Sequence, residues 1–478
     1  MVTDPTIACA HVSPWPGRDL QVRDVSLLRS DGSQEPGHLL VRDGRIAAIA
    51  ADLPRQDDVP VLQGGGHLLM PGVIDPQVHF RDPGLTRKED LITASRACLR
   101  GGVTGYLEMP NTIPPTVNRA ALQAKLDRAA AVSRVHYGFF IGACGDGSNL
   151  ADLTSEATAS GQACGVKMFM GTGHGVLECS DPEVQEQVFA TGDKLIAVHA
   201  EDQQRILARR AALLEPGTEP AADCHSEIQD EQAALLATRR ALELSNRHGR
   251  RLHILHLSTG IEAEHLRTHK PPQVTTEVTP QHLLLNRSAY ERLGTRAQMN
   301  PPLRSERDNG LLWQALVDGV IDCIATDHAP HTAAEKARPY PHAPSGMPGV
   351  ETALPLMLSQ AMAGRCSLAD VSRWMSARPA EIYGIPAKGR LEVGCDADLV
   401  LVDLETVRTV RDGDVVSKCG WTPFAGWELV GWPVATVVAG IVGFERGRSA
   451  SCSSTPEHTG KGVLMPMHSP NSVAVLQR

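Results

Sequence analysis

The sequence contains no uncharged apolar run near the ~18 residues needed to cross a bilayer, so it predicts no membrane span. Its first ten residues, MVTDPTIACA, carry an acid and lack a basic segment followed by an apolar one, so no secretory leader is expected. Positive charge is also short. With 46 Lys and Arg against 55 Asp and Glu, the formal net charge is -9, and no basic cluster is present to neutralise phosphates. A nucleic-acid partner is therefore not expected, and a small-molecule substrate is. The 11 cysteines form no C-x-x-C pair; Cys98, Cys144, Cys164, Cys179 and Cys323 sit in apolar patterns and read as buried thiols of a reducing compartment. The cytoplasm is the simplest location. There is no internal repeat, and aromatics make up only 4% of the chain.

What is present is apolar material in short periods. Hydrophobic residues are 42% of the 478 and glycines number 43, as in a globular enzyme with many turns. That length accommodates a barrel of roughly 250 residues or more with a smaller unit beside it. Over 72–387, short β-branched runs alternate with helical patterns, the signature of parallel βαβ units. Eight strands are expected: Val73 to Ile74 leading to His79, Val103 to Glu108, Val135 to Ile141, Cys164 to Phe169, Leu195 to His199, Arg251 to His256, Gln273 to Val278, and Ile321 to Thr326. Between them, helices over Asp90 to Arg100 and Asp230 to Arg247 stop at glycines.

The flanks differ. Residues 20–71 and 388–448 are rich in strand patterns with Gly-Asp turns, as in LLVRDGRIAAI and ADLVLVD, and predict one β-rich domain built from both ends of the chain. Residues 449–478 mix Ser, Pro, His and Gly without periodicity and are expected to form a disordered tail. The fold class is thus α/β, a (β/α)₈ TIM-type barrel with a smaller β-rich domain.

In such a barrel the reactive groups stand at the C-terminal ends of the strands. Here the first strand ends in Asp75-Pro-Gln77-Val-His79-Phe-Arg81, the fourth carries Lys167, the fifth ends in His199, the sixth in His256 and the eighth in Asp327-His328. Taken singly, each has an ordinary reading: a hydrogen-bonded rim histidine, an ion-paired lysine, an aspartate capping the next helix. Together they bring candidate ligands from five strands to one face, the convergence of imidazoles and carboxylates that zinc requires.

The segments PGVIDPQVHFRDPG, EMPNT, GVKMFMG, AVHAED, HILHLSTG, VTPQHLLL, MNPPLR and ATDHAPH, in this order, resemble the dihydroorotase branch of the amidohydrolase superfamily. The closing segment SKCGWTPFAGWELVGWPVATVVAGIVGFERGR resembles it too, so the likeness spans both domains. It implies that His79, Lys167, His199, His256 and Asp327 hold one or two Zn²⁺, with Lys167 carboxylated by CO₂ to a bridging carbamate. It further implies that Asp327 is the catalytic base, and that Arg81, Asn111, Asn300 and His331 bind substrate. The implied reaction is the reversible cyclisation of N-carbamoyl-L-aspartate to dihydroorotate in pyrimidine biosynthesis, through a zinc-bound hydroxide. A homo-oligomer, a dimer, is expected with it.

Two departures stand out. The branch reads Asp-x-His-x-His-x-Arg in its first turn, whereas this chain has Gln77 in place of the first histidine. An amide carbonyl is a poorer zinc ligand than imidazole, so one metal is expected to be weakly held, absent, or completed by another group such as His174. Gln229 also stands where many relatives carry Arg. The alternatives are another cyclic amidohydrolase, a hydantoinase or allantoinase, which Arg81 disfavours, and a non-catalytic barrel scaffold, which the retained ligand set disfavours.

Overall fold

A computed structural model of the chain describes residues 18–154, 162–214, 220–447 and 464–465. Eight parallel strands run in barrel order: Val73–Val78, Val103–Glu108, His136–Gly142, Ala163–Phe169, Ile196–His199, Leu252–Ile254, Val274–Val278 and Cys323–Ile324. Nearly every residue in them is buried, because helices cover the outside of the barrel and side chains fill its inside. Their apolar runs are accordingly continuous rather than alternating. The first and eighth strands meet where the His79 N–H donates to the His328 carbonyl at 2.8 Å and Val78 bridges His328.

The expected helices form where their caps lie. Leu91–Arg100 starts on the Asp90 carboxylate, which accepts from the Ile92 and Thr93 N–H groups. Glu231–His248 starts on Asp230 and stops at Gly249, whose φ of 60° is the left-handed conformation that glycine adopts without strain. Two strands are shorter than the sequence predicts. The sixth ends at Ile254 and the eighth at Ile324, and just beyond these ends His256 (φ 35°) and Asp327 (φ 46°) take left-handed backbone.

Both flanks join one further sheet. From the N-terminal side, Leu20–Leu28 pairs with Gln34–Arg42, and that with Arg45–Ala50. Leu68–Pro71 then pairs antiparallel with Leu399–Asp403, which pairs with Trp432–Val438. Leu27, Val41, Leu69, Leu399 and Val437 form this sheet's own core. Of the stretch after residue 448 only Leu464 and Met465 are described: the Met465 N–H donates to the Tyr137 carbonyl at 2.9 Å, and its side chain is buried with Ile74, Leu107 and Phe140. The rest of that stretch lies outside the described residues.

A buried charge cluster fastens the sheet to the barrel. Asp398 takes Nε2 of His136 at 2.9 Å, the Ala439 N–H at 2.8 Å and the Lys388 ammonium. Burial alone would raise its pKa, but His136 and Lys388 outweigh burial and hold the carboxyl far below its ordinary value. Asp398→Asn is expected to destabilise the fold by about 3–5 kcal/mol, because it removes the buried carboxylate that joins the Lys388 ammonium to His136 and leaves Lys388 with Asp396 alone. Urea denaturation at neutral pH reads this directly. Because the folded-state pKa is depressed, the carboxylate's contribution is complete above the unfolded value of about 4 and is lost on further acidification.

Candidate active site

The strand ends open into a cavity of about 890 Å³. Gln77, His79, Lys167, His199, His256 and Asp327 all line it, so the structure brings the five predicted ligands and the departing glutamine to one place. Arg81, Asn111, Asn300 and His331 line the same cavity.

Lys167 is buried, with no hydrogen-bond partner for Nζ among the described residues, and its ammonium position lies 4.4 Å from the centre of the Phe169 ring. Burial pushes its pKa down to about 7, against the pull of Asp327 and Glu277. A substantial neutral fraction therefore exists near pH 7, the form able to attack CO₂. His199 Nε2 lies 2.8 Å from Oε2 of Glu201 and 2.8 Å from Oγ1 of Thr172. A proton on Nε2 satisfies the Glu201 carboxylate and leaves Nδ1 as a lone pair, 3.0 Å from Nε2 of His256. Nδ1 of His256 has no partner, and burial keeps the ring neutral.

On the other side, His79 Nδ1 lies 2.7 Å from Oδ1 of Asn111 and its Nε2 3.0 Å from Oδ1 of Asp327. If Nδ1–H donates to Asn111, a lone pair faces a carboxylate, an arrangement that a cation between them relieves. Gln77 donates from Nε2 to the same Asp327 oxygen at 3.0 Å, while its Oε1 is buried without a donor among the described residues. These orphaned acceptors, together with Lys167 Nζ, fit a divalent cation held by nitrogen and oxygen. His174 is exposed at the rim, with Nδ1 3.2 Å from its neighbour Thr172's carbonyl, while Gln77 makes the contact to Asp327.

Asp75, buried beneath the mouth, accepts from Thr326 N–H at 3.1 Å and Oγ1 at 2.6 Å, and so fixes the end of the eighth strand. Arg81 (φ 66°), His256 and Asp327 all have left-handed backbones, which cost non-glycine residues energy and cluster at functional sites.

Arg81 is buried, and desolvation lowers its pKa to about 10, so it stays charged at neutral pH. Its Nε donates to the Pro330 carbonyl at 3.2 Å, which aims the fork inward. Asn300 Oδ1 lies 3.0 Å from His225 Nε2, and burial pushes that imidazole down to about 4. With its amide turned to suit its neighbours, Gln229 donates to Glu201 at 3.1 and 3.2 Å and to Asn300 Oδ1 at 3.2 Å. Glu201, His225, Gln229 and Lys88 thus support the site, and the sequence reading gave none of them a role. The motif AVHAED contained a signal for Glu201, a carboxylate two residues after a candidate ligand.

Deeper in the barrel, ligand atoms of His253, Glu277 and Cys323 lie within 4.8 Å of one another. Burial pushes His253 down to about 3 and raises Glu277 and Cys323, and His253 Nε2 is 3.0 Å from Glu277 Oε2. His253 and Glu277 are engaged with each other, and burial disfavours the charged forms of all three groups, a poor match for a cation.

The barrel, the strand-end cluster and the second sheet define a hydrolase of the amidohydrolase class. The chain belongs to the amidohydrolase family, whose model matches residues 68–442. Within that family, it is 38% identical over 411 residues to the dihydroorotase of Halobacterium salinarum, covering 84% of this chain and 94% of that one. It is 35% identical over 462 residues to the dihydroorotase of Methanosarcina mazei, covering 93% and 99%. Among solved structures, an L-hydantoinase (dihydropyrimidinase) from Arthrobacter aurescens superposes with a TM-score of 0.86 at 30% identity, over 94% of this chain and 99% of that one. The family is generally metal-dependent. No helix of the described residues is long and apolar enough to cross a membrane, and the described cysteines are free thiols.

Proposed function

We propose that the chain is a dihydroorotase, interconverting N-carbamoyl-L-aspartate and dihydroorotate. The observation that carries this reading is Arg81: a charged guanidinium, buried and aimed into the cavity beside His79 and Asp327, suits a ring bearing a carboxylate. His79, Lys167 as its carbamate, His199, His256 and Asp327 would hold zinc, with Gln77 Oε1 as a further oxygen. A bound zinc supplies Lewis-acid polarisation of the ring carbonyl and a lowered pKa for water. Arg81 holds the substrate carboxylate, and Asn111 and Asn300 hold the ring from the cavity wall. Asp327 accepts the proton of the attacking water at a carboxylate oxygen. As the new C–O bond forms and the ring C–N bond breaks, it delivers that proton to the leaving nitrogen. In the cyclising direction the same carboxylate takes the proton from the carbamoyl nitrogen.

The test is ring opening of dihydroorotate and ring closure of carbamoyl-aspartate by the purified chain, with metal content measured on the same preparation. Likeness to the L-hydantoinase structure makes a hydantoinase the second reading, and preferential turnover of hydantoin would select it. The same purified material tests the proposed homodimer, by sedimentation.

Gln77 carries a further expectation. With one imidazole fewer, the His79 side should hold metal more weakly than the side served by His199 and His256. Gln77→His is expected to raise retention there about tenfold or more, the scale on which even outer-sphere partners act. Chelator competition measures it. Two equally retained zincs in the unaltered chain, with no gain from Gln77→His, would overturn the weak-site reading.

A further inference from the structure

Lys88 lies in the loop after the first barrel strand, where its N–H donates to the Leu85 carbonyl at 2.9 Å. Its side chain is nearly buried and reaches the cavity wall. There Nζ is 2.9 Å from Nδ1 of His331 and 3.4 Å from Oε1 of Glu335. An ammonium can only donate, so Nδ1 of His331 is the acceptor. Burial, reinforced by Arg81, Lys88 and Lys336, keeps the imidazole neutral, so its one proton sits on Nε2. That proton has a partner, the Ser345 carbonyl at 2.9 Å.

This tautomer changes the meaning of the neighbouring contact. Arg81 Nη2 lies 3.3 Å from the same Nε2, and two N–H donors at that separation make no hydrogen bond. Arg81 uses its Nε on Pro330 and keeps its terminal nitrogens without a protein acceptor among the described residues. Were the proton on Nδ1 instead, Nε2 would accept from Arg81 and draw the fork toward the wall.

We infer that Lys88 is a positioning residue for the substrate carboxylate: by fixing the Nε2–H tautomer of His331 it keeps the Arg81 fork free to bind that anion. The inference rests on the dihydroorotase reading for the identity of the anion, whereas the tautomer is independent of it. It concerns binding, so its kinetic effect belongs in KM.

The experiment compares the full-length metal-loaded enzyme with Lys88→Met, which keeps the length of the side chain but removes its donors, and with Lys88→Arg, which keeps a donor. ¹⁵N NMR of histidine-labelled protein, with His331 assigned by loss of its signals in His331→Asn, reads the tautomer. The unaltered enzyme is expected to show Nε2–H, and Lys88→Met a shift of population toward Nδ1–H. KM for dihydroorotate should rise about tenfold in Lys88→Met with a much smaller change in kcat, and Lys88→Arg should recover most of it. An unchanged tautomer and unchanged KM in Lys88→Met would overturn the inference. So would equal losses in Met and Arg variants accompanied by a lowered Tm, which mark a purely structural lysine. If the unaltered enzyme failed to process dihydroorotate at all, the functional reading would fall, and the tautomer shift would still decide whether Lys88 controls His331.

Discussion

Lys167→Ala is expected to lose bound metal and to lower kcat/KM by far more than a hundredfold, the largest effect of any single substitution in this chain. Three properties of the position require it. Nζ is buried without a hydrogen-bond partner among the described residues, so the amine makes no polar contact that would account for its position. Burial brings its pKa to about 7, which would provide a neutral amine able to capture CO₂ at ordinary pH. Its strand pairs directly with the one that ends in His199, and Lys167 lines the same mouth as the two imidazoles, where the proposed carbamate would meet them. Removing even a residue that only supports a metal ligand costs 10- to 100-fold in affinity or activity, and removing an anionic bridge should exceed that. Alanine also leaves space. A small carboxylate such as acetate, added to the variant, should restore part of the metal content and turnover if an anionic oxygen is what the site needs. Full zinc occupancy and normal turnover in Lys167→Ala, measured by elemental analysis and ring-opening assay, would remove the bridging role.

What was legible in the sequence was whatever the chain expresses as a local pattern. Asp90 and Asp230 announce helix starts because a carboxylate in front of an apolar period can do little else so well, and Gly249 announces an end because its left-handed turn suits glycine. His199 and His256 were legible as a pair only through the barrel, which puts neighbouring strand ends side by side. The left-handed backbones of Arg81, His256 and Asp327 carried no such mark, since the surrounding fold imposes them on residues that elsewhere avoid them. The strand predicted to run through His256 therefore stops short of it. Lys88 and Glu201 were missed for another reason. A lysine before a helix reads as solvent-exposed, and a glutamate beyond a strand reads as part of a loop, until the fold turns one against His331 and the other against His199. Gln77 was visible as a departure, but its partner Asp327 lies 250 residues away in the chain.

Arg81→Met is expected to cripple turnover of dihydroorotate while leaving metal content unchanged. Arg81 stands two residues beyond His79, past the end of the first strand, and both side chains line the same cavity. Its Nε is fixed on the Pro330 carbonyl, so the fork cannot swing away from the cavity without breaking that bond. On the proposed reading, a ring carboxylate held by paired, charge-assisted hydrogen bonds would keep the amide carbonyl in line with the metal side of the site, beside the proposed base Asp327. Methionine fills much of the same volume and donates nothing. The carboxylate then enters a partly desolvated pocket unpaired, at a cost of roughly 1.5–3 kcal/mol, or about ten- to a hundredfold in kcat/KM. Hydantoin carries no such group, so any residual action on it should be nearly indifferent to the substitution. The two substrates therefore separate the branch from the family: intact dihydroorotate turnover in Arg81→Met, or a preference of the unaltered enzyme for hydantoin, would overturn the dihydroorotase reading and leave the amidohydrolase barrel standing.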